Sequence, residues 1–185
     1  VENIRFGTNL GENLLFEGVK CVQPGQHINF DKNLKITKTN FFNLADTFNV
    51  VKISPDQKEI NRKIINSIIS HTQSDVSYGT QLSGGIDSSL ITSIVNQKSK
   101  KKLRTFSVSL DHDTLNESSY QKLFINSQEL DNSKINFNYK TFNNVEKLKK
   151  SIYFHDLPLH HPNIVASDLM NELASKEGMK VLLSG

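Results

Sequence analysis

A chain of 185 residues, 36% hydrophobic and with a formal net charge of +3, holds one full domain, or one domain and part of another. This composition suits a globular fold, and so small a charge leaves no nucleic-acid footprint of its own while allowing an anionic small-molecule ligand. Cys21 is the single cysteine, which excludes a disulfide framework, argues against a zinc cluster and fits a cytoplasmic protein; no apolar run approaches membrane-spanning length. Val1 stands first in place of a methionine, and an apolar run breaks off at Gly185, so the chain is expected to be a fragment of something longer.

Residues 1–50 read as β-rich. "VQPGQHINF" and "LKITKTNFF" alternate apolar and polar residues, with Asp31-Lys32-Asn33 as a hairpin connection and Pro24-Gly25 as a turn before it. A helix follows, with Ser54 as N-cap, Pro55 at its first position and Gln57 completing a capping box; Ile60, Ile64, Ile65, Ile68 and Ile69 line one face. The change of periodicity near residue 50 marks the expected domain boundary.

From residue 77 onward strands and helices alternate. A strand over 78–82 leads to a helix with Leu90, Ile91, Ile94 and Val95 inward, and "LRTFSVSL" (103–110) is the next strand. A helix around 117–130 turns Tyr120 and Phe124 inward, and "KINFNYK" (134–140) makes a third strand. Val145, Leu148 and Ile152 mark one further helix, Ala166, Leu169, Met170, Leu173 and Ala174 another, and "MKVLLS" closes as a buried strand. Repeated βα units predict an α/β fold, a doubly wound parallel sheet with helices on both faces, preceded by a short β-rich segment.

The stretch "QLSGGIDSSLI" (81–91) sits between a strand and a helix, at the sheet end where ligands of open parallel sheets bind. Gly84 and Gly85 lack a Cβ, so their amides can approach a ligand closely; the helix start adds unpaired N–H groups and a positive dipole end. With the hydroxyls of Ser83, Ser88 and Ser89 this forms an anion nest suited to phosphate. Asp87 would repel such a ligand unless a magnesium ion bridges it to the phosphates. On the simplest alternative, Asp87 only caps the helix and the glycines only make a tight turn. The spacing is not that of a Walker motif, and no lysine follows the glycines.

The loop resembles the PP-loop, Ser-Gly-Gly-X-Asp-Ser, of the ATP pyrophosphatase superfamily, whose sheet is of the adenine-nucleotide alpha-hydrolase type. Within it, "YGTQLSGGIDSSLITSIV", "TFSVSLD" and "NESSYQKLF" are similar to successive stretches of the glutamine-hydrolysing asparagine synthetase family, the last to its Asp-Glu-X-X-Tyr-Ala stretch. "FHDLPLHHPNIVASDLMNELASKEGMKVLLSG" resembles that family's segment from an Asp-X-Pro turn to a Val-Leu-Ser-Gly strand end, and "LLFEGVKCVQPGQHINF" the end of its glutaminase domain. The resemblance makes 1–50 the β-rich tail of a glutaminase-like domain and 51–185 the N-terminal part of an ATP-binding synthetase domain. Asn116 and Gln81 depart from the pattern, a core glutamine needing a partner. The family's Gly-Glu-Gly-X-Asp-Glu segment and nucleophilic N-terminal cysteine are not in this chain, and Cys21 lies mid-chain.

The resemblance implies a ligase that uses ATP and Mg2+ to convert aspartate to asparagine through β-aspartyl-AMP, releasing AMP and pyrophosphate. Ammonia comes from glutamine hydrolysis in a glutaminase domain. Ser83, Gly84, Gly85 and Ser88 would hold pyrophosphate, Asp87 the magnesium through the phosphates, and Leu82 and Val108 the adenosine; Ser184 and Gly185 inherit a nucleotide contact. No catalytic or acceptor-binding residue is named. A related ligase for another carboxylate (a sugar or β-lactam precursor), a tRNA-modifying PP-loop enzyme and an inactive nucleotide-binding fragment stay open, as does a homodimer. Neither a membrane nor a nucleic acid is expected as partner. "KSKKKLR" (98–104) reads as a solvated helix end rather than an RNA contact. His155, His160 and His161 near Asp156 read as loop surface rather than a metal set; Asp156 reads either as a turn-former or, by the resemblance to the family's Asp-X-Pro turn, as serving the substrate pocket.

Overall fold

The structure, a computed structural model, describes residues 2–49, 56–99, 101–110, 117–138, 144–156 and 163–185. The chain divides into two compact units, Val1–Ser54 and Pro55–Gly185.

In the first unit a short helix α1 (Glu2–Phe6) precedes the hairpin of β1 (Gln26–Phe30) and β2 (Ile36–Asn40), and a 3-10 turn spans Leu44–Asn49. The strands pair antiparallel from Gln26 opposite Asn40 to Phe30 opposite Ile36. Asp31 closes the connection: its Oδ1 accepts from the amides of Asn33 and Lys35, both at 2.8 Å, the local bonding that favours aspartate in turns. Gly25 is obligatory, since its φ is 73° and a Cβ there would lie 2.1 Å from the Phe42 carbonyl oxygen. Only Asn3 is buried among the described residues of this unit, so the hairpin rests on its ladder and turn. Glu12 joins in by pairing with Lys38 at 2.7 Å and Lys20 at 3.6 Å.

The second unit contains α2 (Gln57–Ser70), β3 (Tyr78–Gln81), α3 (Ile86–Lys98), β4 (Arg104–Leu110), α4 (Ser118–Ser127), β5 (Asp131–Phe137), α5 (Val145–His155), α6 (Asn163–Lys176) and β6 (Val181–Leu183). Four parallel strands form one sheet in the order β5-β4-β3-β6. Period-two alternation splits the side chains between its faces. Leu82 and Leu103 pack with Val95 of α3, with Phe124 and Ile125 of α4 and with Ile68 of α2. On the other face Phe106, Val108 and Phe137 meet Val165, Ala166, Met170 and Ala174 of α6, with Leu148 of α5 at the rim. The fold is therefore α/β, a parallel sheet wound on both faces, as the βα alternation predicts.

Helix starts and faces differ from the sequence reading in detail. Helix α2 is capped by Asp56, whose side chain accepts from the Lys58 amide at 3.0 Å. Gln57 is thus the first helical residue rather than the third; Ser54 and Pro55 lie outside the described residues. In α4 the inward face is rotated by one position. Tyr120 is 67% exposed, and Gln121 is buried in its stead, beside Phe124 and Ile125. In α5 Val145 and Ile152 are exposed while Ser151 is buried and donates to Asp168 Oδ2. Each shift puts a hydrogen-bonded polar side chain where apolarity alone would seat a hydrophobe. The third strand starts at Asp131, three residues before the expected start at Lys134.

Candidate nucleotide site

The strand order reverses between β3 and β6: successive strands β3, β4 and β5 run to one side of β3, and β6 lies on its other flank. Such a reversal opens a crevice at the carboxyl ends of the strands. Tyr78 pairs with Val181 and Thr80 with Leu183, so the segments that leave β3 and β6, Leu82–Ser83–Gly84 and Ser184–Gly185, emerge side by side. A Cβ on Gly185 would lie 3.2 Å from the Asp87 backbone carbon and 3.3 Å from its Cβ. Two stretches a hundred residues apart thus meet at one sheet end.

The two glycines of the loop are not equivalent. Gly84 has φ 99°, and a Cβ there would meet Gln121 Cγ at 3.1 Å and the Glu117 carbonyl oxygen at 3.2 Å. It needs both the left-handed backbone and the missing side chain, because the loop lies against the start of α4. Gly85 has ordinary extended backbone, φ −74° and ψ 168°, and serves as N-cap of α3 with no side-chain cap bond. A Cβ there would meet only Ser83 Oγ at 3.4 Å. Gly85 therefore leaves the positive end of α3 open to a ligand.

The serines hold the loop together. Ser88 is buried, and its hydroxyl donates to the Gly85 carbonyl at 3.2 Å, accepts from the Ser83 amide at 3.3 Å and pairs with Ser83 Oγ at 2.9 Å. Ser83 Oγ in turn accepts from the Gly85 amide at 3.2 Å. Ser83 is exposed and can turn the O–H that it gives Ser88 toward a ligand oxygen, whereas Ser88 is committed to the loop's shape. Asp87, Ser184 and Gly185 are exposed at the same end. No group of three or more His, Cys, Asp or Glu able to hold a metal occurs among the described residues. Asp87 alone fits magnesium bound by one carboxylate and substrate phosphates.

Beside the loop lies a cavity of about 270 Å³ whose lining includes Gln81, Leu82, Ser83, Val108, Gln121 and Met170, near the lower end of small-ligand sites at roughly 300 Å³. Val108 faces it from β4. Leu82 is 1% exposed with its side chain in the core on the α3 face, so it offers the cavity backbone rather than an apolar wall. Gln81 also lines the cavity, half-buried at its wall rather than in a closed core.

Sequence reasoning missed Gln121. Its Nε2 donates to the Ser83 carbonyl at 2.8 Å and the Val108 carbonyl at 3.0 Å. Neither His155 nor Asp156 lines this cavity. His155 Nε2 is 3.2 Å from Asp168 Oδ1, and Asp156 ends α5 with left-handed backbone, φ 52°; His160 and His161 lie outside the described residues, as does Asn116.

A parallel sheet with a glycine-rich loop at its topological switch defines a class of α/β protein that binds its ligands at the carboxyl ends of the strands. The family model described as asparagine synthase matches residues 59–185, and the chain belongs to that family. It is 30% identical over 169 residues to asparagine synthetase [glutamine-hydrolyzing] 1 of Bacillus subtilis (strain 168), a match covering 90% of this chain and 26% of that protein. The chain thus spans about a quarter of the length of the curated relative it matches. Among solved structures, NMN synthetase from Francisella tularensis superposes with a TM-score of 0.47 at 15% identity, over 69% of this chain and 54% of that one. No helix among the described residues is long and apolar enough to cross a membrane.

Proposed function

We propose that the carboxyl end of the sheet binds Mg·ATP and takes part in activating a carboxylate, aspartate, as β-aspartyl-AMP with release of pyrophosphate, before ammonia displaces AMP. The observation that carries this reading is the meeting of Gly185 with Asp87 at the topological switch, beside a cavity walled by Val108. Adenosine would enter that cavity, and the phosphates would lie over Gly84, Gly85 and the first amides of α3.

The chain's own groups supply the electrostatics. The helix start and loop amides meet the charge that develops on departing pyrophosphate, and they are fixed beforehand by the Ser88 hydroxyl, which accepts from the Ser83 amide and donates to the Gly85 carbonyl. Ser83 adds a hydroxyl donor. Asp87 would hold the magnesium, which offsets phosphate charge when bound. On the same reading 1–50 is the tail of a glutaminase-like domain and 51–185 the first part of a cytoplasmic synthetase domain. The family relationship supports this, and glutamine would be the ammonia source.

The test is exchange of labelled pyrophosphate into ATP by the full-length protein. Exchange that requires aspartate is expected. Exchange that requires a different carboxylate would replace the substrate, and no exchange with any carboxylate would contradict the activation chemistry.

A further inference from the structure

We infer that Gln121 is a positioning residue that ties the glycine loop to the carboxyl end of β4, holding the phosphate-facing and base-facing halves of the site at one separation. The inference rests on the nucleotide reading of this sheet end. Gln121 is 3% exposed on α4, and its single Nε2 group bridges the carbonyls of Ser83 and Val108 at 2.8 and 3.0 Å. One of these residues opens the loop, and the other walls the cavity. No side chain among the described residues is shown joining the two by another such bridge.

The orientation of the amide is fixed by chemistry. Both partners are carbonyl oxygens, so the NH2 end must face them and the oxygen must face away. Oε1 is then left buried without a partner among the described residues. A buried acceptor without a donor costs free energy that a leucine or methionine at 121 would avoid. The return is the bridge, which supplies a donor to each of two backbone carbonyls. Gly84 shares the arrangement, since its missing Cβ makes room for Gln121 Cγ. The left-handed glycine and the glutamine are thus parts of one joint.

The experiment compares Mg·ATP, AMP and magnesium pyrophosphate binding to the full chain by titration calorimetry, for wild type, Gln121→Ala and Gln121→Glu. A joint between half-sites matters most to the ligand that spans both. Gln121→Ala is expected to weaken Mg·ATP about tenfold while AMP and pyrophosphate each change less than about twofold, as loss of a positioned buried donor implies. Gln121→Glu keeps the shape but, buried against two carbonyls and therefore protonated, offers one O–H in place of two N–H donors, and is expected to weaken Mg·ATP as well. A packing role alone predicts that the glutamate variant binds like wild type, which would overturn the inference. Equal loss for all three ligands, or none in either variant, would overturn it as well. Failure of the wild type to bind Mg·ATP would instead refute the nucleotide reading. Circular dichroism of each variant checks that it is folded.

Discussion

The two ends of the parallel sheet are built from opposite materials. At the amino end Arg104, the first residue of β4, pairs with Glu177 and lies 3.3 Å from Asp131 Oδ2, with its guanidinium 5.9 Å above the Phe106 ring. Ser133 of β5 donates to the same Glu177 at 2.8 Å. One cation there is paired with two carboxylates. At the carboxyl end there are glycines, serines, backbone amides and the exposed acidic residues Asp87 and Glu117, beside a cavity. The first end closes the sheet; the second leaves its donors turned toward space where a ligand can sit. Function in this fold is expected where polarity is left open, and stability where it is mutually satisfied.

Four substitutions test that contrast. The largest effect is expected from Gly84→Val, which places a branched side chain at φ 99° against Gln121 and Glu117. A loss of about 3 kcal/mol in urea unfolding, with loss of nucleotide binding, is the expected outcome. The neighbouring Gly85→Ala, at ordinary φ, should cost less than about 1 kcal/mol in the same experiment. Equal costs would erase the distinction drawn between the two glycines.

Asp87→Ala comes next. It should weaken Mg·ATP at least tenfold, about 1.4 kcal/mol, while leaving the unfolding midpoint nearly unchanged because the side chain is exposed. Glu177→Gln probes the other end and should show the reverse pattern. With Arg104 and Glu177 side chains 32% and 26% exposed, solvent screening limits the expected destabilisation to about 1 kcal/mol, with unchanged Mg·ATP affinity. A Glu177 variant that lost nucleotide binding but not stability would break the contrast.

The smallest effect lies in the first unit. The hydrogen bond and charge of Lys38 hold the Glu12 carboxyl below its ordinary value of 4.5. A carboxylate with a lowered folded pKa contributes stability above its unfolded value, and that contribution is lost as pH falls through the folded pKa. Thermal unfolding followed from pH 6 down to below 4.5 should therefore show a slight loss that Lys38→Met removes. An identical pH profile in the variant would show that the pair contributes nothing.

Much of this was legible in the sequence, for a physical reason. Alternation and helical spacing reported the βα order because each element buries one face, and Ser-Gly-Gly-X-Asp-Ser reported the loop because few residues tolerate its backbone. The hairpin turn was readable from Asp31 because its bonding is local. Gln121 was not readable: a glutamine on a helix is ordinarily solvated, and only the placement of the Ser83 and Val108 carbonyls, from two other elements, makes burial favourable. For the same reason apolarity pointed to Tyr120, one position away. The roles of Gly84 and Gly85 could not be told apart either, since what separates them is the approach of α4. Likewise only the structure shows the Leu82 side chain packing in the core with Val95, while the residue still lines the cavity.

The central claim is that the glycine loop and the end of β6 form one nucleotide site. Calorimetric titration of the full chain with Mg·ATP, run in parallel on wild type and Asp87→Ala, tests it most directly. Saturable binding by the wild type that is weakened at least about tenfold in the variant is the predicted result. No binding by the wild type, or equal binding by both, would contradict it.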